Sequence, residues 1–153
     1  MSQDCLFEIM IIVKGKYIKG VKDMNELLVL GELHKFLNAL GPMECTIAPK
    51  SLSLGYKPIT LRGKSNKFAT LYGDKKYRCL ILHVDPGNPE SEKGKLIQKE
   101  VQQLLSYDIK EMRNILLKKH EVFIPFEVVD SNEKMKLLKN FVIRQFDIFI
   151  HNK

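Results

Sequence analysis

The chain has 153 residues, 44% hydrophobic and 28% charged, a balance that supplies enough apolar area for one folded domain and argues against intrinsic disorder. Its net charge is +7, and the segment from Lys50 to Arg78 accounts for the whole excess, because Lys50, Lys57, Arg62, Lys64, Lys67, Lys75, Lys76 and Arg78 stand there against the single acid Asp74. The apolar run Ile9 to Val13 is too short to cross a bilayer and follows Asp4 and Glu8 rather than a basic region, so neither a membrane span nor a signal peptide is expected, and a cytosolic location is.

In chain order, Leu6 to Val13 reads as a strand, with Lys16 to Val21 returning as its hairpin partner after Lys14-Gly15. Asp23-Met24-Asn25-Glu26 has capping-box form. Leu27, Leu30, Leu33, Leu37 and Leu40 follow at helical spacing until Gly41-Pro42, which places His34 and Lys35 at the surface or its boundary. From Ser51 to Val84 the pattern changes to short β-type runs, Ser51 to Tyr56, Ile59 to Arg62, Lys67 to Tyr72 and Lys75 to Val84, which predict an antiparallel meander. Tyr72-Gly73-Asp74-Lys75 fits a two-residue hairpin, with a longer loop as the alternative. The hairpin register puts Phe68, Thr70, Tyr72, Lys75, Tyr77 and Cys79 on one face and Lys67, Ala69, Leu71, Lys76, Arg78 and Leu80 on the other.

After the loop Asp85 to Pro89, a helix is expected over Glu90 to Tyr107, with Ile97, Val101 and Leu104 or Leu105 inward. A second capping box, Asp108-Ile109-Lys110-Glu111, opens a further helix to Lys119, with Met112, Ile115 and Leu116 inward. Glu121 to Val129 reads as a strand in which Pro125 marks an edge or a bulge. Asp130-Ser131-Asn132-Glu133 caps a last helix whose Met135, Leu138, Val142, Phe146 and Phe149 share a face. The order of elements predicts a single α+β domain with helices packed on one side of a mainly antiparallel sheet.

The localised basic charge points to a polyanionic partner, above all nucleic acid. Lysine and arginine track phosphates, and aromatic rings on strands stack with unpaired bases. The expected contacts are Lys57, Arg62, Lys64, Lys67, Lys75, Lys76 and Arg78 to phosphate, with Tyr72 and Tyr77 for stacking and Tyr56 and Phe68 as further rings. An acidic protein surface is the alternative partner for the same patch.

Enzymatic motifs are weaker. Gly63-Lys64-Ser65 lacks the upstream glycine of a phosphate-binding loop, since position 58 is Pro. No dinucleotide fingerprint or nucleophile elbow occurs, so no cofactor is expected. Cys5, Cys45 and Cys79 are widely spaced without a C-x-x-C pair, which fits reduced thiols rather than disulfides or structural zinc. A small metal-dependent nuclease is a second reading, with His83 and Asp85 beside Glu90 and Glu92, and Glu127 or Asp130 added by the fold. Arg113-Asn114 followed by His120 resembles the R-x4-6-H signature of a family of small helical ribonucleases, which implies RNA cleavage by that pair on a helix.

The runs Lys50-Ser51-Leu52-Ser53-Leu54-Gly55-Tyr56-Lys57, Asn66-Lys67-Phe68-Ala69-Thr70-Leu71-Tyr72 and Leu80-Ile81-Leu82-His83-Val84-Asp85-Pro86 resemble a bacterial domain family of unknown function, often fused to restriction-type or other nuclease modules. The similarity spans Asn25 to Phe149. It departs at Pro58 to Ser65 and at the paired helices from Glu90 to Lys119. The resemblance implies an accessory domain in nucleic-acid processing or defence, without catalytic residues to transfer.

Overall fold

Leucines three and four residues apart form the apolar stripe of the first helix, α1 (Val21–Asn38), with Leu27, Leu30, Leu33 and Leu37 buried. The computed structural model describes residues 20–151, so the expected opening hairpin lies outside the described residues, except for Gly20 and Val21, which cap and begin this helix instead of ending a strand. The capping box does not form. The N-cap is Gly20, three residues earlier, and both of the box's acids are used elsewhere: Asp23 and Glu26 accept hydrogen bonds from the Arg78 guanidinium at 3.2 and 2.9 Å.

The sheet is an antiparallel meander in the order β1 (Met43–Ala48), β2 (Ser53–Thr60), β4 (Ala69–Tyr72), β5 (Cys79–His83) and β6 (Glu121–Pro125), with the short β3 (Gly63–Lys64) folded back on the end of β2. β1 was not expected from the sequence, where its mixed Met-Glu-Cys-Thr-Ile-Ala run carries little β-type signal. The expected run Ile59 to Arg62 divides between β2 and the turn that follows it.

The join between β4 and β5 corrects the expected hairpin. Tyr72 pairs with Cys79 and Leu71 with Leu80, leaving residues 73–78 as a six-residue loop. The faces change accordingly. Ala69, Leu71, Leu80 and Leu82 turn inward to the helices with Leu54, Tyr56, Val122 and Ile124, while Thr70, Tyr72, Cys79, Ile81 and His83 turn outward. Phe68 also packs inward, edge-on to Phe146 and Phe149, so both Phe68 and Ala69 oppose Tyr56 and the strand bulges at its start.

The long closing helix, here α4 (Asn132–His151), packs Met135, Leu138, Phe141, Val142 and Phe146 on the same inner face, and the Ser131 hydroxyl caps it by accepting from the Lys134 amide at 3.1 Å. Helix α2 (Lys93–Leu105) flanks the sheet at β6. There the Gln98 side chain acts as a strand substitute, accepting from the Phe123 amide at 2.7 Å and donating to the Phe123 carbonyl at 3.1 Å. Gly94 makes this approach possible, because a Cβ there would stand 2.4 Å from the Lys119 carbonyl. β6 stops at Pro125 and gives way to a 3-10 turn, Phe126–Val128, rather than continuing to Val129.

The helix expected to reach Lys119 is a single turn, α3 (Ile109–Met112). Beyond it burial alternates residue by residue, a period of two that no helix satisfies; Ile115 and Leu117 pack on the outer face of the sheet against Cys79 and Phe123, and Leu116 points into solvent. None of the described helices is long and apolar enough to cross a membrane.

Arg78, 2% exposed, joins the loop, α1 and the sheet, and removing it leaves two carboxylates without their shared cation. Arg78→Ala is expected to lower the unfolding free energy by about 3–5 kcal/mol in urea titration. Stability equal to wild type would show that the ion pairs do not hold the loop.

Candidate functional site

A row of polar residues crosses the outer face of the sheet. Thr46 on β1 lies opposite Gly55 on β2, and Gly55 lies opposite Thr70 on β4. The Thr70 hydroxyl is 2.9 Å from Nε2 of His83 on β5, whose Nδ1 is 2.8 Å from Oε2 of Glu121, its directly paired residue on β6. The β4 bulge turns Lys67 onto this same face. Its side chain lies over the missing side chain of Gly55: a Cβ built there would stand 3.0 Å from Lys67 Cε, 3.3 Å from its Nζ and 3.3 Å from the Thr46 hydroxyl.

The Thr70–His83–Glu121 part of the row lines a groove of about 490 Å³, together with Lys67, Tyr72, Lys76, Tyr77 and the extended segment through Lys118. The Tyr72 and Tyr77 rings tilt together at 5.3 Å, and the Lys76 ammonium lies 5.3 Å from the Tyr77 centroid. The hydrogen bond from His83 holds the Glu121 carboxyl below its ordinary range, an effect opposed by partial burial and reinforced by the charges of His83, Lys118 and His120. Burial pushes the Tyr72 hydroxyl up, and it pushes the Cys79 thiol well up, so this cysteine is a packed apolar group beneath the groove rather than a nucleophile. Cys45 and Cys79 are both buried.

Of the residues expected to contact phosphate, Lys57 lies half-buried on the outer side of β2, Lys67 and Lys76 border the groove, Arg62 is exposed in the β2–β3 turn, and Lys64 lies in β3. Lys75 is exposed and reaches Asp23 at 3.6 Å. Arg78 is withdrawn from this face. Its Nε donates to the Gly73 carbonyl at 2.6 Å and its Nη1 serves Asp23 and Glu26, so it and Lys76 do not project together. Tyr56 and Phe68 are fully buried and offer no ring to a base. His34, expected near the surface, is also buried, with Nδ1 2.7 Å from the Tyr56 hydroxyl.

The residues of the nuclease reading disperse. Glu127 binds Arg113, Asp130 pairs with Lys134 at 3.6 Å, Asp85 accepts from Asn88 at 3.3 Å, and Glu92 pairs with Lys95 at 2.8 Å. Among the described residues no group of three or more His, Cys, Asp or Glu side chains is placed to hold a metal ion. Arg113 and His120 lie outside any helix, which removes the geometry that their spacing implied. Thr46, Thr70 and Glu121 were not foreseen, because only the strand register places Thr70 and Glu121 beside His83 and Thr46 opposite Gly55.

Comparison with known proteins finds no matching family model, no similar curated protein and no similar solved structure.

Because the Glu121 carboxyl titrates below its unfolded value, its contribution to stability is complete above the ordinary glutamate range and is lost as pH falls through the lowered value. Denaturant unfolding at stepped acidic pH is expected to give a shallower loss for Glu121→Gln than for wild type. Identical acid limbs would contradict the pairing with His83.

Proposed function

We propose that this chain binds nucleic acid without strong sequence preference, through the outer face of its sheet, as an accessory domain in nucleic-acid processing or defence. The observation that supports this most directly is the grouping of Lys57, Lys67 and Lys76 on or beside one face together with the Tyr72–Tyr77 pair. Among the described residues, these three lysines form no ion pair, in contrast to Lys75 and Arg78, which serve Asp23. Ammonium groups that are not already matched by carboxylates contribute counter-ion release when phosphate arrives. The half-exposed tyrosines add a stacking surface that tolerates any base.

Fluorescent single- and double-stranded DNA and RNA, titrated over a salt series with Mg²⁺ or with EDTA, test the proposal. Binding is expected to weaken linearly on a log–log salt plot. Each of Lys67→Glu and Lys76→Glu is expected to reduce the slope by about 0.7 for a single strand. Intact probe in both metal conditions is expected. Absence of binding at low salt would contradict the reading and turn attention to an acidic protein surface; Mg²⁺-dependent cleavage would contradict a binding-only role.

A further inference from the structure

We infer that the outer groove is a single-nucleotide site, in which Lys67 takes the phosphate and the Tyr72–Tyr77 end takes the base. The inference rests on the nucleic-acid reading and names the unit that the groove accepts. Its volume, about 490 Å³, falls within the range of small-molecule sites. Residues 114–118 line the groove together with the sheet, and a groove so walled accepts an unpaired residue of a strand better than a continuous duplex.

The phosphate end is built from the polar row. Lys67 is the cation that the β4 bulge and the bare backbone of Gly55 bring over the sheet, with the Thr46 hydroxyl beside it. Thr70 and His83 form the neighbouring floor, held by the 2.9 Å contact between them. Among the described residues, Glu121 is the one carboxylate that lines the groove. Its charge is engaged by the 2.8 Å contact with His83 and offset by nearby Lys118, so it does not leave an unmatched anion facing the phosphate. The base end follows from strand geometry. Thr70 and Tyr72 point to the same side of β4 two residues apart, about 7 Å along the strand, a separation similar to that between phosphate and base within one nucleotide. The Tyr77 ring, with Lys76 over it, extends that end of the groove.

Competition against a labelled single-stranded oligonucleotide tests the site, using adenosine 5′-monophosphate, adenosine and inorganic phosphate as competitors. The monophosphate is expected to compete at least about tenfold better than either fragment, since it alone gains both the phosphate contact and stacking. Gly55→Ala is the sharper variant. The atoms nearest its new methyl are the flexible end of Lys67 and the Thr46 hydroxyl, so it displaces the ammonium without altering net charge. Gly55→Ala and Lys67→Met are each expected to weaken the monophosphate about tenfold while thermal unfolding confirms the fold, and Tyr77→Leu to weaken the monophosphate while leaving inorganic phosphate unchanged. Salt-sensitive oligonucleotide binding with no competition by the monophosphate, or with competition indifferent to both Gly55→Ala and Lys67→Met, would overturn the single-nucleotide site and leave the wider binding face in place. Direct binding of the monophosphate, lost in Gly55→Ala and measured with no binding of oligonucleotides, would support the site and reject the polymer.

Discussion

The rest of the structure depends on one buried cation. Arg78 sits between α1 and the sheet at 2% exposure, and its guanidinium is shared by Asp23, Glu26 and the Gly73 carbonyl. Its backbone lies in the left-handed region at φ 40°, a conformation that costs an L-residue on the order of 1–3 kcal/mol. Charge-assisted hydrogen bonds to these converging acceptors offset that strain and the desolvation of the cation. The Arg78 carbonyl in turn accepts from the Phe126 amide at 2.9 Å, which ties the turn after β6 to the same residue. Helix, loop and far strand are thereby fixed to one point.

Fixing that point sets the register of β5. With residues 73–78 spent on the loop, Tyr72 meets Cys79, and the leucines of β4 and β5 fall on the side of the helices. A shift of one residue would exchange the two faces, placing Thr70 and His83 in the core and Leu71 and Leu82 in solvent. The outer face therefore owes its polar row to an interaction on the other side of the loop. It owes its position for Lys67 to a second local irregularity, the bulge at Phe68–Ala69, and to the glycine across from Thr70. The two sheet irregularities together separate the cations: Arg78 becomes structural, while Lys67 and Lys76 remain at the surface groove.

The α+β class, the antiparallel meander and the buried stripes of α1 and α4 were legible because they rest on periodicity, which needs only near neighbours. The register was not. Gly73-Asp74 has the form of a tight hairpin, and nothing local shows that Arg78, four residues on, is drawn to acids at positions 23 and 26. The same acids carried a capping-box signal, so one long-range ion pair defeated two local readings. Likewise, Arg113 to Lys118 follows a sequence that opens like a helix, but its alternate residues Ile115 and Leu117 find an apolar surface around Cys79 and Phe123 that only the folded sheet provides. The basic segment was plain from composition. Which of its members are available to a ligand was not, because side-chain direction along a strand follows from register rather than from charge.

On the proposed function, the outer face, organised around the row from Thr46 to Glu121, is the working surface of this domain. Backbone amide shifts recorded while an unlabelled single-stranded oligonucleotide is added test it most directly. The account predicts that the largest changes fall at Thr46, Gly55, Lys67, Thr70, Tyr72, Tyr77 and His83, with α1 and α4 little affected. Changes confined to the helical side, with that row unmoved, would contradict it.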